Sequence, residues 1–430
     1  MLRLRGYPYL DYKLVSKVYK FNSSNTFLIF IEYFHTFSYT LFILLIALGV
    51  PMCSDLSKVN RPISKANGLP NSHYIDDQVF QKEKEHLLYN NWAGIAFEHD
   101  VKNPGDALPL DLLGFPLLVV RDHNNQICVY QNVCHHRGMI LIEEKKNIRG
   151  TIRCPYHSWS YNLDGSLRAT PHVGGPGHNH HEDFNKEHLG LVKIQSYIFL
   201  GVIFVNISNS AEPFEKANSS LMSRWAEFNK PLFHCEHYSS FQLELKCNWK
   251  LAVENYLESY HLPWVHPGLN SYSKIEDHYH IQGLPNRFAG QGTVVYNPIL
   301  KGKIKFPTFP NWPKSKENIA EYVALFPNVM LGIHKDHYYA YWLEPISNEF
   351  TLEHMEIYYV GDQAASSKKF QSLRKQNHKL WEDIQKEDVD IIQGMQVGRN
   401  SPVYNGGNFS PVMDNPTHHF HKWVVTNLVS

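Results

Sequence analysis

The sequence carries no surplus of charge. Its 41 Lys and Arg are balanced by 41 Asp and Glu. Binding to nucleic acid draws on a basic excess that neutralises phosphates, so the balance argues against that class of partner. Cysteine is scarce: Cys53, Cys128, Cys134, Cys154, Cys235 and Cys247 are the whole set, and they show no disulfide spacing. Free thiols suit a reducing cytosol, which is the expected compartment. No internal repeat and no low-complexity tract is found. A clean apolar run of about 20 residues, enough to cross a bilayer, is missing as well. Residues 27–50 come nearest, but Glu32, His35 and Thr36 interrupt them. Three readings of residues 1–51 stay open. They lie outside the working protein, with translation starting at Met52. Or 27–50 anchors the chain to a membrane, with the basic residues before it held inside. Or the segment is a signal sequence with a basic leader and an apolar core.

Histidine is abundant, at 26 residues. Most of these cannot be ligands, and the run His178-Asn179-His180-His181 reads as an exposed loop. Two short motifs are different. Cys134-His135-His136-Arg137-Gly138 is followed by Cys154-Pro155-Tyr156-His157. Each arm offers one thiolate and one imidazole: Cys134 with His136, and Cys154 with His157. A structural zinc site more often draws two Cys from one tight knuckle. Mixed arms are what a Rieske [2Fe–2S] cluster needs, with two thiolates on one iron and two imidazoles on the other.

Further along, Asn248 to His261 reads as a helix through Tyr260, followed by Leu262-Pro263-Trp264-Val265-His266. Pro263 cannot extend that helix regularly. The break helps His261 and His266 converge, since a five-residue spacing on an unbroken helix would splay them. Two imidazoles and a distant carboxylate on one face of a metal, with open positions opposite, make the arrangement of non-haem Fe(II) oxygenases.

Together the motifs resemble the catalytic (alpha) subunit of Rieske non-haem iron oxygenases. The resemblance runs from about Tyr74 to the C-terminus and includes Ser158-Trp159-Ser160-Tyr161 and Asp164-Gly165. It implies an α+β fold: an antiparallel β Rieske domain, then a helix-grip (START-like) catalytic domain with a curved antiparallel sheet and long helices. The expected organisation is an apolar segment over 1–51, a polar lead-in over 52–75, the Rieske domain over 76–208 and the catalytic domain over 209–430. One [2Fe–2S] cluster and one Fe(II) per subunit are implied. By position, His261 and His266 match the imidazole ligands of the mononuclear iron. The third ligand should be an acid in a helix ending in a Gln-x-Gly turn, and Asp388 ahead of Gln396-Val397-Gly398 fits. Asp390 is a rival, but two residues on a helix turn it away from the face of Asp388. Glu258 precedes His261 by three residues. The family places a carboxylate there to bridge to a cluster-binding His of the neighbouring subunit, by position His157. Asn255 and Glu258 are the candidate catalytic residues.

The resemblance also implies partners: a separate ferredoxin or flavin reductase, dioxygen, a small organic substrate and further copies of the chain, with a trimer favoured. The tail, from Ser401-Pro402 through Phe409-Ser410-Pro411 to Asp414 and His418-His419-Phe420-His421, is similar to choline-, betaine- and carnitine-type oxygenases, which usually carry Glu at the position of Asp414. A further metal site and simple packing are both readings of that His cluster. Trp264, Tyr272, Tyr279, Tyr296, Tyr338, Tyr339, Tyr341 and Trp342 are candidates for a pocket that holds a methylated ammonium by cation–π attraction. An aromatic ring would suit the same lining, and so an aromatic-ring-hydroxylating dioxygenase is the alternative. An electron carrier without oxygenase activity is a reading of another class. The joint presence of Glu258, His261, His266 and Asp388 speaks against it.

The rest of the pattern gives strands at Pro116–Arg121 and Ile127–Val133 around an Asn124-Asn125 turn, and one strand over Tyr197–Ile207. It gives helix near Glu212–Phe228 and strands at Ser239–Cys247, Tyr322–Ile333, Tyr338–Pro345 and Phe350–Val360. A long helix from Ala364 to about Met395 closes the chain.

Overall fold

Short strands rich in Val, Ile, Leu and Phe, separated by Gly and Asn turns, build the first half of the chain into antiparallel sheet. In the computed structural model, residues 56–228, 231–283, 287–298 and 300–429 are described. The strands are β1 (Ala93–Phe97), β2 (Asp106–Leu112), β3 (Phe115–Arg121), β4 (Ile127–Gln131) and β5 (Lys146–Asn147). They continue with β6 (Ile152–Arg153), β7 (Ser160–Tyr161), β8 (Leu167–Ala169), β9 (Lys193–Phe199) and β10 (Val202–Asn206). Seven of them pair in the order β1-β10-β9-β4-β3-β2-β5, while β6, β7 and β8 make a separate three-stranded sheet. The expected single strand over Tyr197–Ile207 is a hairpin instead. Leu200 and Gly201, both at positive φ, turn β9 back as β10. Apolar period alone could not show a turn of two residues inside an apolar run.

The second half supplies β11 (Phe233–His234), β12 (Ser240–Leu245), β13 (His278–Gln282), β14 (Phe288–Thr293), β15 (Ala320–Leu325), β16 (Val329–Ile333), β17 (His337–Ser347) and β18 (Phe350–Tyr359). They form one antiparallel sheet in the order β11-β18-β17-β16-β15-β14-β13, and β12 also pairs with β18. Tyr322–Ile333 is thus two strands rather than one, since the chain turns at Phe326-Pro327-Asn328 and β16 returns antiparallel along β15. The sheet sorts its residues by period two. Along β17, Tyr339, Tyr341 and Leu343 face one core, and Tyr338, Ala340 and Trp342 face another. The second core also takes Val202 and Phe204 of β10, which joins the two sheets. Asn328 ties them further by donating to Gly94 O and Leu343 O, each at 2.8 Å.

Helices cover the first of those cores: α1 (Asp77–Glu83), α2 (Trp249–Leu257), α3 (Leu262–Val265), α4 (Pro267–Asn270), α5 (Gln371–Gly398) and α6 (Asn415–Val429). The long helix starts at Gln371 rather than Ala364. Ser367, in extended conformation, interrupts it and caps the turn at Lys368–Phe370. The buried residues of α5 include Leu373, Asn377, Trp381, Ile384, Asp388, Ile392 and Gln396, a single stripe at steps of three and four. Helix at Glu212–Phe228 is three short pieces, Phe214–Ala217, Ser219–Arg224 and Ala226–Phe228.

The terminal helix α6 was not foreseen. It carries the tail histidines, which pack rather than gather round an ion. His418 Nε2 lies 2.7 Å from Val59 O, His421 Nδ1 accepts from Leu69 N at 3.1 Å, and His421 Nε2 is 3.0 Å from Glu254 Oε1. Among the described residues no helix is long and apolar enough to cross a membrane. The apolar segment 27–50 lies outside the described residues.

Candidate metal centres

Cys134 and Cys154 open two loops of one design. In the first, Gly138 N donates to Cys134 O at 3.0 Å, and in the second, Ser158 N donates to Cys154 O at 3.1 Å. Gly138 (φ 72°) and Ser158 (φ 58°) occupy the same left-handed position, which glycine takes freely and serine only under strain. The two sulfurs are buried, and His136 and His157 stand at the exposed end. The two imidazoles are 4.7 Å apart between ring centres, and His136 stacks on Trp159 at 4.7 Å and 6°. Tyr161 lies 3.2 Å from Cys134 Sγ through its hydroxyl, which also accepts from His135 N at 3.1 Å. Burial pushes the Cys134 thiol up and the His136 imidazole down, so both sit uncharged until a metal claims them.

The second centre hangs on α2, α3 and α5. Asn248 caps α2, accepting from Lys250 N at 3.1 Å. Its own N–H donates to Gln396 Oε1 at 3.0 Å, and Gln396 Nε2 donates to Tyr74 O at 3.1 Å. The glutamine after Asp388 therefore sets α5 against α2. The helix expected through Tyr260 stops at Leu257. Glu258 is extended (φ −124°, ψ 158°) and turns its carboxylate to the next segment, where it accepts from Tyr260 N and from His261 N. Glu258 and His261 are therefore not on one helical face, yet they touch, with Glu258 Oε1 2.6 Å from His261 Nδ1.

His266 Nε2 is 3.0 Å and His261 Nε2 3.7 Å from Asp388 Oδ1, and the rings cross at 70°. With bonds of about 2.1 Å to one metal, neighbouring ligand atoms sit roughly 3.0–3.5 Å apart. The group fits a single ion. Each remaining ring nitrogen has its own carboxylate: Glu258 for His261, and Glu387 Oε2 at 2.7 Å for His266. Protons on both Nδ1 atoms leave both Nε2 lone pairs facing the site. Burial opposes a charge on His266, but Asp388 and Glu387 outweigh it and raise its pKa. Asn255 Nδ2 donates to Asp388 Oδ1 at 3.2 Å. Asp390 is exposed, off the stripe that buries Asp388.

Another His–His–carboxylate group, His99, His234 and Glu356, lies outside this site. Its imidazoles stack face to face at 3.7 Å and 9°. In-plane lone pairs of parallel rings do not meet at one ion. The two histidines contact Glu356 at 3.3 and 3.0 Å and hold its buried carboxyl below its usual range against the pull of burial.

The chain thus combines a Cys/His-looped β domain with a His/His/Asp cleft on a helix-covered sheet. The family described as the Rieske [2Fe-2S] domain matches residues 91–190, and that described as the ring hydroxylating alpha subunit (catalytic domain) matches residues 232–430. The chain belongs to the Rieske non-haem iron oxygenases. It is an oxidoreductase with a Rieske [2Fe-2S] domain and a candidate mononuclear iron site. The carnitine monooxygenase oxygenase subunit of Acinetobacter pittii (strain PHEA-2) is 26% identical over 343 residues, 78% of this chain and 86% of that protein. The chloroplastic choline monooxygenase of Spinacia oleracea is 25% identical over 381 residues, 85% and 80%. The quaternary ammonium Rieske monooxygenase CntA, solved with L-carnitine, superposes with a TM-score of 0.68 at 22% identity, covering 86% and 98%. Naphthalene 1,2-dioxygenase from Rhodococcus sp. gives 0.64 at 18% identity, covering 87% and 97%.

Over the three candidate ligands lies a small pocket of about 50 Å³, walled in part by Tyr256, Tyr322, Tyr339 and Trp381. Tyr339 and Trp381 meet at 4.5 Å and 60°, and Tyr256 crosses Tyr322 at 88°. Gly332 makes room for Tyr339, because a Cβ there would stand 2.0 Å from its ring. Of the expected pocket residues only Tyr339 lines this cavity. Trp264 is 72% exposed, and Tyr279, Tyr338 and Trp342 belong to the opposite core. Tyr341 packs behind Tyr339, while Tyr272 and Tyr296 pair with each other at 5.8 Å. The alternation of β17 required this split, since only odd-numbered residues can face the helices. Trp381 and Ile384, at seven and four residues before Asp388, were open to the same helical reading. Nothing in the sequence singled out Glu387 or Glu353. Burial, with Asp388 nearby, pushes the Glu353 carboxyl up to about 8.

Proposed function

We propose that the protein oxidises a small methylated ammonium compound, using dioxygen and electrons from a separate reductase. The observation that carries this reading is the box of four aromatic rings set over His261, His266 and Asp388. A quaternary ammonium is attracted to ring faces, at about 0.5–2 kcal/mol per well-placed ring. In this reading a methyl carbon of the ammonium faces the open side of the iron ligands. Relatives named for carnitine and choline support the same class.

In this reading Cys134, His136, Cys154 and His157 hold the [2Fe–2S] cluster, and His261, His266 and Asp388 hold Fe(II). The iron, when bound, supplies dioxygen activation beside the substrate's C–H bonds. The chain's own residues do the rest. Glu258 and Glu387 fix the tautomers of the two imidazoles, and Asn255 orients Asp388 by donating to its carboxylate. The aromatic walls exclude water. Glu258 also bridges to His157 of a neighbouring copy, which the exposed position of the cluster imidazoles favours, so the working form is a closed ring of subunits.

The reading is tested by oxygen uptake with a surrogate reductase over a panel of methylated ammonium compounds, aromatic acids and aromatic hydrocarbons. Uptake coupled to product with an ammonium compound is expected. Turnover of aromatic hydrocarbons alone would refute it in favour of a ring-hydroxylating dioxygenase.

A further inference from the structure

The pocket over the mononuclear site has walls for a cation but no basic side chain to balance an anion. Among the described residues that line it there is no Lys and no Arg. Its one imidazole besides the candidate ligands, His278, is kept neutral: burial lowers its pKa, and its ring nitrogens are taken by Ser273 Oγ at 3.0 Å and Gln291 Oε1 at 2.6 Å. Behind Tyr322 stands His334, whose complete burial holds it well below the usual imidazole range. The charges that do surround the site are carboxylates. Asp388, Glu258 and Glu387 all touch the iron-binding imidazoles or the iron position itself. A bound dication leaves them one negative charge in excess. A substrate carboxylate would lose its hydration here and meet no compensating cation at the far end of the pocket.

Neutral polar groups are available in the pocket wall. Tyr256 donates to the Tyr339 hydroxyl at 3.2 Å, which leaves the Tyr339 O–H free to turn toward a ligand. Gln385 lines the wall as well. These suit a hydroxyl, which needs one partner and carries no charge.

We propose that this pocket selects methylated ammonium cations that carry no carboxylate, such as amino alcohols of the choline type, and rejects zwitterions of the betaine and carnitine type. The inference rests on the ammonium reading above and names the substrate class within it. Iron-loaded protein, held without oxygen, is titrated calorimetrically with choline, glycine betaine, carnitine and uncharged 3,3-dimethylbutan-1-ol. Choline is expected to bind at least tenfold more tightly than either zwitterion and more tightly than the uncharged alcohol. Equal or tighter binding of glycine betaine or carnitine overturns the inference and leaves the ammonium reading standing. Equal binding of the uncharged alcohol, or binding of none of the four, overturns the ammonium reading itself. Gln385→Lys, which sets a cation in the wall, gives a second measurement. In protein that retains both metals it should narrow the choline-to-betaine ratio, and an unchanged ratio counts against the charge argument.

Discussion

Glu387 touches no substrate and was not distinguishable from its neighbours in sequence, yet the structure gives it a measurable task. Its carboxylate receives the His266 Nδ1 proton at 2.7 Å, and His266 is nearly fully buried while the Glu387 side chain is 44% exposed. Losing the carboxylate partner of a metal-bound imidazole weakens metal binding about 10–100-fold, or roughly 1.4–2.7 kcal/mol. Two substitutions divide that range. Glu387→Gln keeps a neutral acceptor and removes only the charge, in a place where water already screens part of it. About tenfold weaker iron binding is expected. Glu387→Ala also leaves a buried N–H without a partner, which costs a further 1–3 kcal/mol or so, and should approach a hundredfold. Both also make His266 less basic, so protonation of that ring in the metal-free protein should move to lower pH. The assay is an anaerobic Fe(II) titration by calorimetry across pH, with the Rieske absorption as internal standard. Wild-type affinity in both variants would refute the reasoning. So would loss of the Rieske spectrum along with the iron, because the cluster ligands sit in loops of the β domain and the iron ligands around α3 and on α5.

Three further outcomes are expected. Asp388→Ala should empty the mononuclear site with the Rieske spectrum unchanged, while Asp390→Ala, exposed on α5, should keep both metals; the reverse result in a metal analysis would move the ligand by two residues. Tyr161→Phe removes the hydroxyl 3.2 Å from Cys134 Sγ and should lower the cluster potential, by about 20–65 mV if the contact contributes 0.5–1.5 kcal/mol to the reduced state, as read by redox titration. In iron-free protein Glu353 titrates near 8 when folded and near 4.5 when unfolded, so it is protonated in the native state. Its stabilising contribution is complete below about pH 4.5 and is lost as pH rises through 8. Urea midpoints should fall between pH 6 and 9, and Glu353→Gln should flatten that fall; an unchanged slope would mean the carboxyl is already ionised.

The cluster loops were legible because their chemistry is local. Cys134 with His136 and Cys154 with His157 each sit within four residues, so spacing alone constrained them. His261 and His266 were legible for the same reason, with Pro263 marking the break between them. The pocket was not. Whether a tyrosine of β17 faces the substrate or the opposite core depends on register, and one residue of shift reverses every assignment. The hairpin at Leu200-Gly201 and the terminal helix α6 escaped because their apolar patterns fit longer or looser elements equally well.

By itself the sequence pointed to the family, to two candidate ligand sets and to Asp388 ahead of Asp390, since ligand chemistry and helical period act over short stretches of chain. Only the tertiary structure decided that Glu258 leaves the helix to cap the next turn, that Glu387 supports His266, and that Trp381, Tyr256 and Tyr322 join Tyr339 around the site. The His266–Glu387 contact spans more than a hundred residues, and the pocket brings together α2, α5 and the sheet. Such partners are chosen by packing, by burial of charge and by strand register, and none of these is written in the spacing of neighbours along the chain.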